Sequence, residues 1–204
     1  MDQNFILDFN QSLKQEFYLQ SAELVAKNLI GKVLIKKINN KEFLAAKIVE
    51  TEAYLATGDE SCHTYKGMNS RNKSMYEIGG TLYVYKIFGL HYCINIVTEN
   101  KGTGSAVLIR AVEPIIGLEI MQINRKVEDI IRLCKGPGSL TQAYQFDLND
   151  NFKSVLTENL FIQDYHNYKD EEIKITTRIG ITKSADLPLR FYLKSSKYVS
   201  GKKS

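Results

Sequence analysis

Residues 81–88, TLYVYKIF, and 91–98, HYCINIVT, are two aromatic and β-branched runs separated only by Gly89 and Leu90. Runs joined by so short a connection pair in one way, because parallel strands need a crossover of a dozen or more residues. The spacing therefore predicts an antiparallel hairpin with Phe88 at an apolar tip, between Lys86 and His91. Further strands are expected over KVLIKKI (32–38), EFLAAKIVETEAY (42–54), SAVLIRAV (105–112), near Leu160, and over IKITTRIGIT (173–182) and LRFYLK (189–194). SAELVAKNLI (21–30) has apolar residues at helical spacing, a serine to cap it and Gly31 to stop it. A helix opened by Pro114 and running to Asn124 is expected next, then a helical stretch from Val127 to Leu133. GPGSLTQAY (136–144) reads as a turn entering another helix, and SSKYVSGKKS (195–204) as a frayed basic tail. The expected fold is α+β: one mixed domain over residues 1–204, a curved, mostly antiparallel sheet with packed helices and a protruding β-hairpin.

With 204 residues and 44% hydrophobic content the chain can bury a substantial core. It lacks any run of 18 uncharged apolar residues, so no transmembrane helix is expected. Its acidic first residues do not form an export signal. Cys62, Cys93 and Cys134 are odd in number and widely spaced, which argues for a reducing compartment and against a disulfide framework or a zinc site. The net charge of +4 permits a polyanionic partner without requiring one. Lys66, Arg71, Lys73, Lys86, Lys101 and Arg110 fall in the segment that holds most of the unusual residues.

Within VETEAY (49–54), Glu50, Glu52 and Tyr54 share one face of a strand. Two carboxylates at this spacing stand roughly 6–7 Å apart, which suits acid–base work around a glycosidic bond. The ordinary reading is that acids at a strand end face water. His63 lies in a long turn-rich segment, 56–80, of a length that is usually functional; a single histidine is more often structural than catalytic. Tyr83 and Tyr85 share a face, as sheet packing alone would have it. An apolar tip flanked by cations is different: it has the chemistry of a wedge that opens a DNA base step, with tyrosines behind it to stack on an extruded base.

IVETEAY, DESCHTYKG, SRNKSMY, GGTLYVYKIFGLHYCINIV, VLIRAVEP and LCKGPGSLTQA follow one another as in the 3-methyladenine (alkyladenine) DNA glycosylases, and the resemblance covers about residues 17–194. It implies a monofunctional base-excision enzyme that flips a damaged purine out of double-stranded DNA and cleaves its bond to deoxyribose. It also implies a monomer with no metal, cofactor or membrane partner, in the cytoplasm at a bacterial nucleoid or in a eukaryotic nucleus. Motif by motif, Glu52 matches the general base for water, Tyr54 and Tyr85 the rings that sandwich the base, and His63 a pocket wall. Asn95 matches the residue that crowds a purine 2-amino group, and Arg110 an arginine near the water and phosphates. Ile179 and Gly180 match residues that close the pocket, and Phe88 the intercalating tip, where the family usually has tyrosine. Asn69 and Tyr76 are milder departures. The resemblance assigns Glu50 no chemistry. Three rival readings are a noncatalytic damaged-DNA binder with the same pocket, a carbohydrate glycosidase built on Glu50 and Glu52, and a formyltransferase-type RNA-binding domain. An intact Glu52 weighs against the first, the wedge and basic loop against the second, and the glutamate–tyrosine and YVY motifs against the third.

Overall fold

Strand-forming runs and capped helices alternate along the chain in a computed structural model that describes residues 5–87, 89 and 91–201. Two short helices, α1 (Gln15–Tyr18) and α2 (Ala22–Asn28), precede β1 (Val33–Lys37) and the long β2 (Phe43–Tyr54). The hairpin strands β3 (Leu82–Ile87) and β4 (His91–Thr98) are followed by β5 (Ser105–Ile116), α3 (Leu118–Arg125) and α4 (Pro137–Tyr144). Short strands β6 (Leu156–Thr157), β7 (Leu160–Gln163), β8 (Ile173–Thr176) and β9 (Arg190–Leu193) complete the set. Ser21 caps α2 by accepting from the Leu24 amide, and Ala22, Val25 and Ala26 turn the helix's apolar side into the core.

All nine strands found among the described residues join one antiparallel sheet, seven of them in the order β3-β4-β5-β2-β1-β7-β6, with β9 branching off β2 and β8 paired to β9. β2 organises it. One edge pairs with β5 from Ala45 to Tyr54, while the other pairs first with β1 and then, from Glu50 to Glu52, with β9. Exchanging partners midway along one edge bends the sheet, which curls into a half-barrel with the helices packed on it. β4 pairs with β5 only from Asn95 to Thr98, so the hairpin beyond Asn95 projects past the sheet and is backed by α4. Fold class and hairpin thus agree with expectation. Among the described residues no helix is long and apolar enough to cross a membrane.

Several local expectations fail. Pro114 does not open a helix. It lies within β5 opposite Ala46, beside a register shift, the kind of place where a strand tolerates proline, and α3 starts only after Gly117. The stretch from Val127 to Leu133 holds a single 3₁₀ turn, Ile130–Arg132, capped by Asp129. IKITTRIGIT is a strand only to Thr176, because Arg178 turns inward to a buried ion pair. The supposed frayed tail is packed: Tyr198, Val199 and Ser200 are all buried. The expected intercalating residue Phe88 lies outside the described residues.

Candidate active site

Directly paired strand residues point to the same side of a sheet. Glu52 pairs with Leu108, Leu108 with Asn95, and Asn95 with Tyr83; on its other flank Glu52 pairs with Arg190. One row across five strands therefore delivers a carboxylate, an amide, a phenol and a guanidinium to one face. Tyr85, opposite Cys93, continues that face toward the hairpin tip. Two register shifts in the β2–β5 pairing, on either side of Glu50, leave Arg110 without a direct partner but on the face of Leu108, so it points at both glutamates.

Neither glutamate faces water, against the ordinary reading of strand-end acids: Glu50 and Glu52 are both 0% exposed. Burying two carboxylates demands compensation, and two arginines provide it. Arg110 sends Nε to Glu50 at 3.1 Å, one Nη to Glu52 at 3.1 Å and the other Nη to the Ser200 hydroxyl at 3.3 Å. Arg190 donates Nε to Glu50 at 2.7 Å, and the Ser200 amide donates to the other Glu50 oxygen at 2.6 Å. Burial works against charge on Arg110, but Glu52 and Glu50 overcome it and raise its pKa above the ordinary arginine value.

Glu52 carries two further contacts. Its Oε1 also accepts the Ile179 amide at 2.8 Å, and its Oε2 accepts the Tyr54 hydroxyl at 3.0 Å. A carboxylate offers about four lone-pair sites, so one remains, on Oε2 beside the tyrosine.

Tyr54 links this network to a pocket lined by Tyr54, His63, Met75, Tyr83, Tyr85 and Asn95. Its free interior is about 20 Å³. That holds roughly one water, which needs about 10–15 Å³, and no purine. Tyr83 and Tyr85 stack with centroids 5.3 Å apart, and His63 meets Tyr85 edge-on at 4.6 Å while its Nδ1 lies 2.7 Å from the Tyr83 hydroxyl. Asn95 donates its amide to the Tyr83 carbonyl at 3.2 Å. Burial pushes the Tyr83 phenol up to about 12 and also raises Tyr54 and Tyr85, so all three rings stay neutral at physiological pH. Partial burial, aided by the charge of Arg71, lowers the pKa of His63 below the usual histidine value. The imidazole is thus neutral near pH 7 and ill-suited to protonate a leaving base.

Two groupings emerge from the residues singled out in the sequence. Glu52, Arg110, Tyr54 and Ile179 form one hydrogen-bonded set, while Tyr54, His63, Tyr85 and Asn95 form the pocket wall. Gly180 stands beside Ile179 on an exposed turn at φ +78°, outside that wall. Other participants escaped the sequence reading. Asp59 and Arg178 form a buried bidentate pair at 2.6 and 2.7 Å, and the Arg178 guanidinium lies over the Tyr54 ring at 4.6 Å. Opposite charges 119 residues apart leave no pairing signal in one sequence. Arg190 was easier to suspect, being a single cation within the otherwise apolar run LRFYL. Among the described residues no group of three or more His, Cys, Asp or Glu side chains is placed to hold a metal ion.

Comparison with known proteins points one way. The profile of the family described as Methylpurine-DNA glycosylase matches residues 16–197. Proteins named "Putative 3-methyladenine DNA glycosylase" are similar along most of their length. The one from Chlorobium phaeobacteroides is 45% identical over 194 residues, covering 95% of this chain and 98% of its own. That from Methanoculleus marisnigri is 45% identical over 192 residues, covering 93% and 98%. That from Francisella tularensis subsp. tularensis is 49% identical over 180 residues, covering 87% and 92%.

Proposed function

Since the chain belongs to the methylpurine-DNA glycosylase family, we propose that it hydrolyses the N-glycosidic bond of alkylated or deaminated purines flipped out of duplex DNA. The carrying observation is the buried Glu52 carboxylate, tied to a pocket-wall tyrosine and left with one lone-pair site. A water seated there gives its proton to Glu52 as its oxygen bonds to C1′. The electron pair of the C1′–N bond leaves with the purine. A purine alkylated at N3 or N7 is cationic before cleavage and departs neutral, so it needs no acid from the protein. The negative charge of Glu52 also favours the oxocarbenium character that develops on the sugar. Arg110 acts by holding Glu52, because its guanidinium is occupied by Glu50, Glu52 and Ser200 rather than free for a phosphate.

Substrate enters a pocket that its own side chains fill. Tyr54, Tyr85 and His63 part to admit the base, and the tyrosines then stack on it, each contact worth about 1–3 kcal/mol. A cationic base gains more from their electron-rich faces. Damaged or mismatched bases unpair at lower cost, which adds selectivity before the pocket is reached. Phe88 is the residue the family resemblance assigns to fill the vacated stack.

Glu52→Gln keeps the shape and removes the base. Single-turnover release of 7-methylguanine should fall at least about hundredfold, while binding to duplex bearing an abasic analogue stays close to wild type. Wild-type release by the variant would refute Glu52 as the base.

A further inference from the structure

Glu50 is more deeply engaged than a structural acid needs to be. Both its oxygens are engaged, Oε1 by Arg110 and Arg190 and Oε2 by the Ser200 amide, and it holds Arg110 through Nε, leaving Glu52 a single Nη contact. A guanidinium prefers to grip one carboxylate with two parallel N–H groups. Released from Glu50, Arg110 would be free to close on Glu52 in that way and fill the lone-pair site beside the Tyr54 hydroxyl, where a water would sit. We propose that Glu50 is a positioning residue that divides Arg110 between two carboxylates, and with Arg190 sets how strongly Glu52 takes up a proton. This rests on the reading of Glu52 as the base.

The charges around the pair make the effect directional. Facing Glu52 are Arg110 from β5, its register partner Arg190 from β9, Cys93 from β4, Tyr85 from β3, Tyr54 on its own strand and Arg178 from the loop after β8. Facing Glu50 are Arg110 from β5 and, from β9, Arg190 and the directly opposite Tyr192. Glu50 and Arg190 touch each other, and Glu50 does not touch the pocket. Removing the negative charge of Glu50 leaves Glu52 under the pull of two buried cations, making it a weaker base. Removing the positive charge of Arg190 lets Glu50 neutralise Arg110 more fully, making Glu52 a stronger one.

The test is the acid limb of the pH–rate profile for single-turnover release of 7-methylguanine, a lesion already cationic and needing no acid catalyst. Glu50→Gln should move that limb to lower pH by about one unit, the usual size for a neighbouring charge, with at least a tenfold lower plateau. Arg190→Met should move it to higher pH by a similar amount. A purely structural role predicts slower release in both variants with the limb unmoved, and that result, or movement in the same direction, overturns the proposal. Should Glu50→Gln fail to fold, Arg190→Met decides alone, because it leaves Glu50 paired with Arg110; an unmoved limb there is fatal. Glu52→Gln separates the two ideas. If it retains release, the reading of the base fails; if it is inactive while the other limbs stand still, only the role of Glu50 fails.

Discussion

Asn95 shows how much a single side chain's tether decides. It is 4% exposed, and its amide nitrogen is held by the Tyr83 carbonyl, so the group cannot swing aside when a base arrives. That carbonyl is itself held in place, because Tyr83 and Asn95 are register partners in the β3–β4 ladder. A rigid side chain at the floor of the pocket excludes by shape, and losing a few atoms of such a wall changes selectivity by about 1–3 kcal/mol. Asn95→Ala should therefore raise release of guanine relative to hypoxanthine about tenfold, since the 2-amino group distinguishes the two bases. The ratio is read from paired single-turnover assays on one enzyme preparation. An unchanged ratio would place the 2-amino group away from Asn95. The sequence could point to Asn95 only through resemblance, because the carbonyl that holds its side chain lies on the neighbouring strand.

Between elements, the Asp59–Arg178 pair joins the end of β2, the loop after it and the loop after β8. Arg178 also donates to the Ala53 and Ser184 carbonyls, and Asp59 accepts the Leu55 and Ser61 amides. Burial opposes the charge on Arg178, but Asp59 overcomes it and holds its pKa above the ordinary value. Its Nε is buried without a hydrogen-bond partner, so the site is already short of acceptors. Asp59→Asn leaves that cation uncompensated. Breaking a buried pair costs about 3–5 kcal/mol, which in a chain of this size lowers Tm by roughly 6–20 °C. A melting curve within about 2 °C of wild type would show the pair to be worth no more than a surface one. These contacts also explain which elements could be read from sequence. β2, β3 and β4 are runs rich in apolar, aromatic and β-branched residues, and α2 has its helical period and serine cap; each stands within two residues of where its run puts it. The residues after Thr176 share the composition of a strand, yet the inward turn of Arg178 ends β8 there, and that choice depends on a partner far away in the chain. Pro114 misled for a similar reason: proline opens helices, but it also suits a bulge in a strand, and only the partner strand distinguishes the two.

At the scale of the whole molecule, the chain's last segment is folded back against the machinery that its middle builds. Tyr198 and Val199 are 8% and 2% exposed, the Ser200 amide caps Glu50, and its carbonyl accepts from Arg190 at 3.0 Å. A side chain on Gly201 would come within 2.9 Å of Ile179, the residue whose amide binds Glu52. Composition alone, polar and basic, made this segment look frayed; its burial follows from two arginines and a glutamate that need donors and acceptors beyond what the sheet supplies. The family profile match ends at residue 197, so the contacts of Tyr198 to Gly201 lie beyond it. A chain ending at Ser196 would lose two buried apolar side chains, each worth about 1.5–3 kcal/mol, and would strand buried polar groups at about 1–3 kcal/mol each. Against a typical stability of about 5–15 kcal/mol that is a large fraction. The shortened chain should melt well below the full one and release 7-methylguanine more slowly even at temperatures where it remains folded. Equal melting and equal release for the 196-residue chain would show that the tail neither supports the fold nor orders the glutamates.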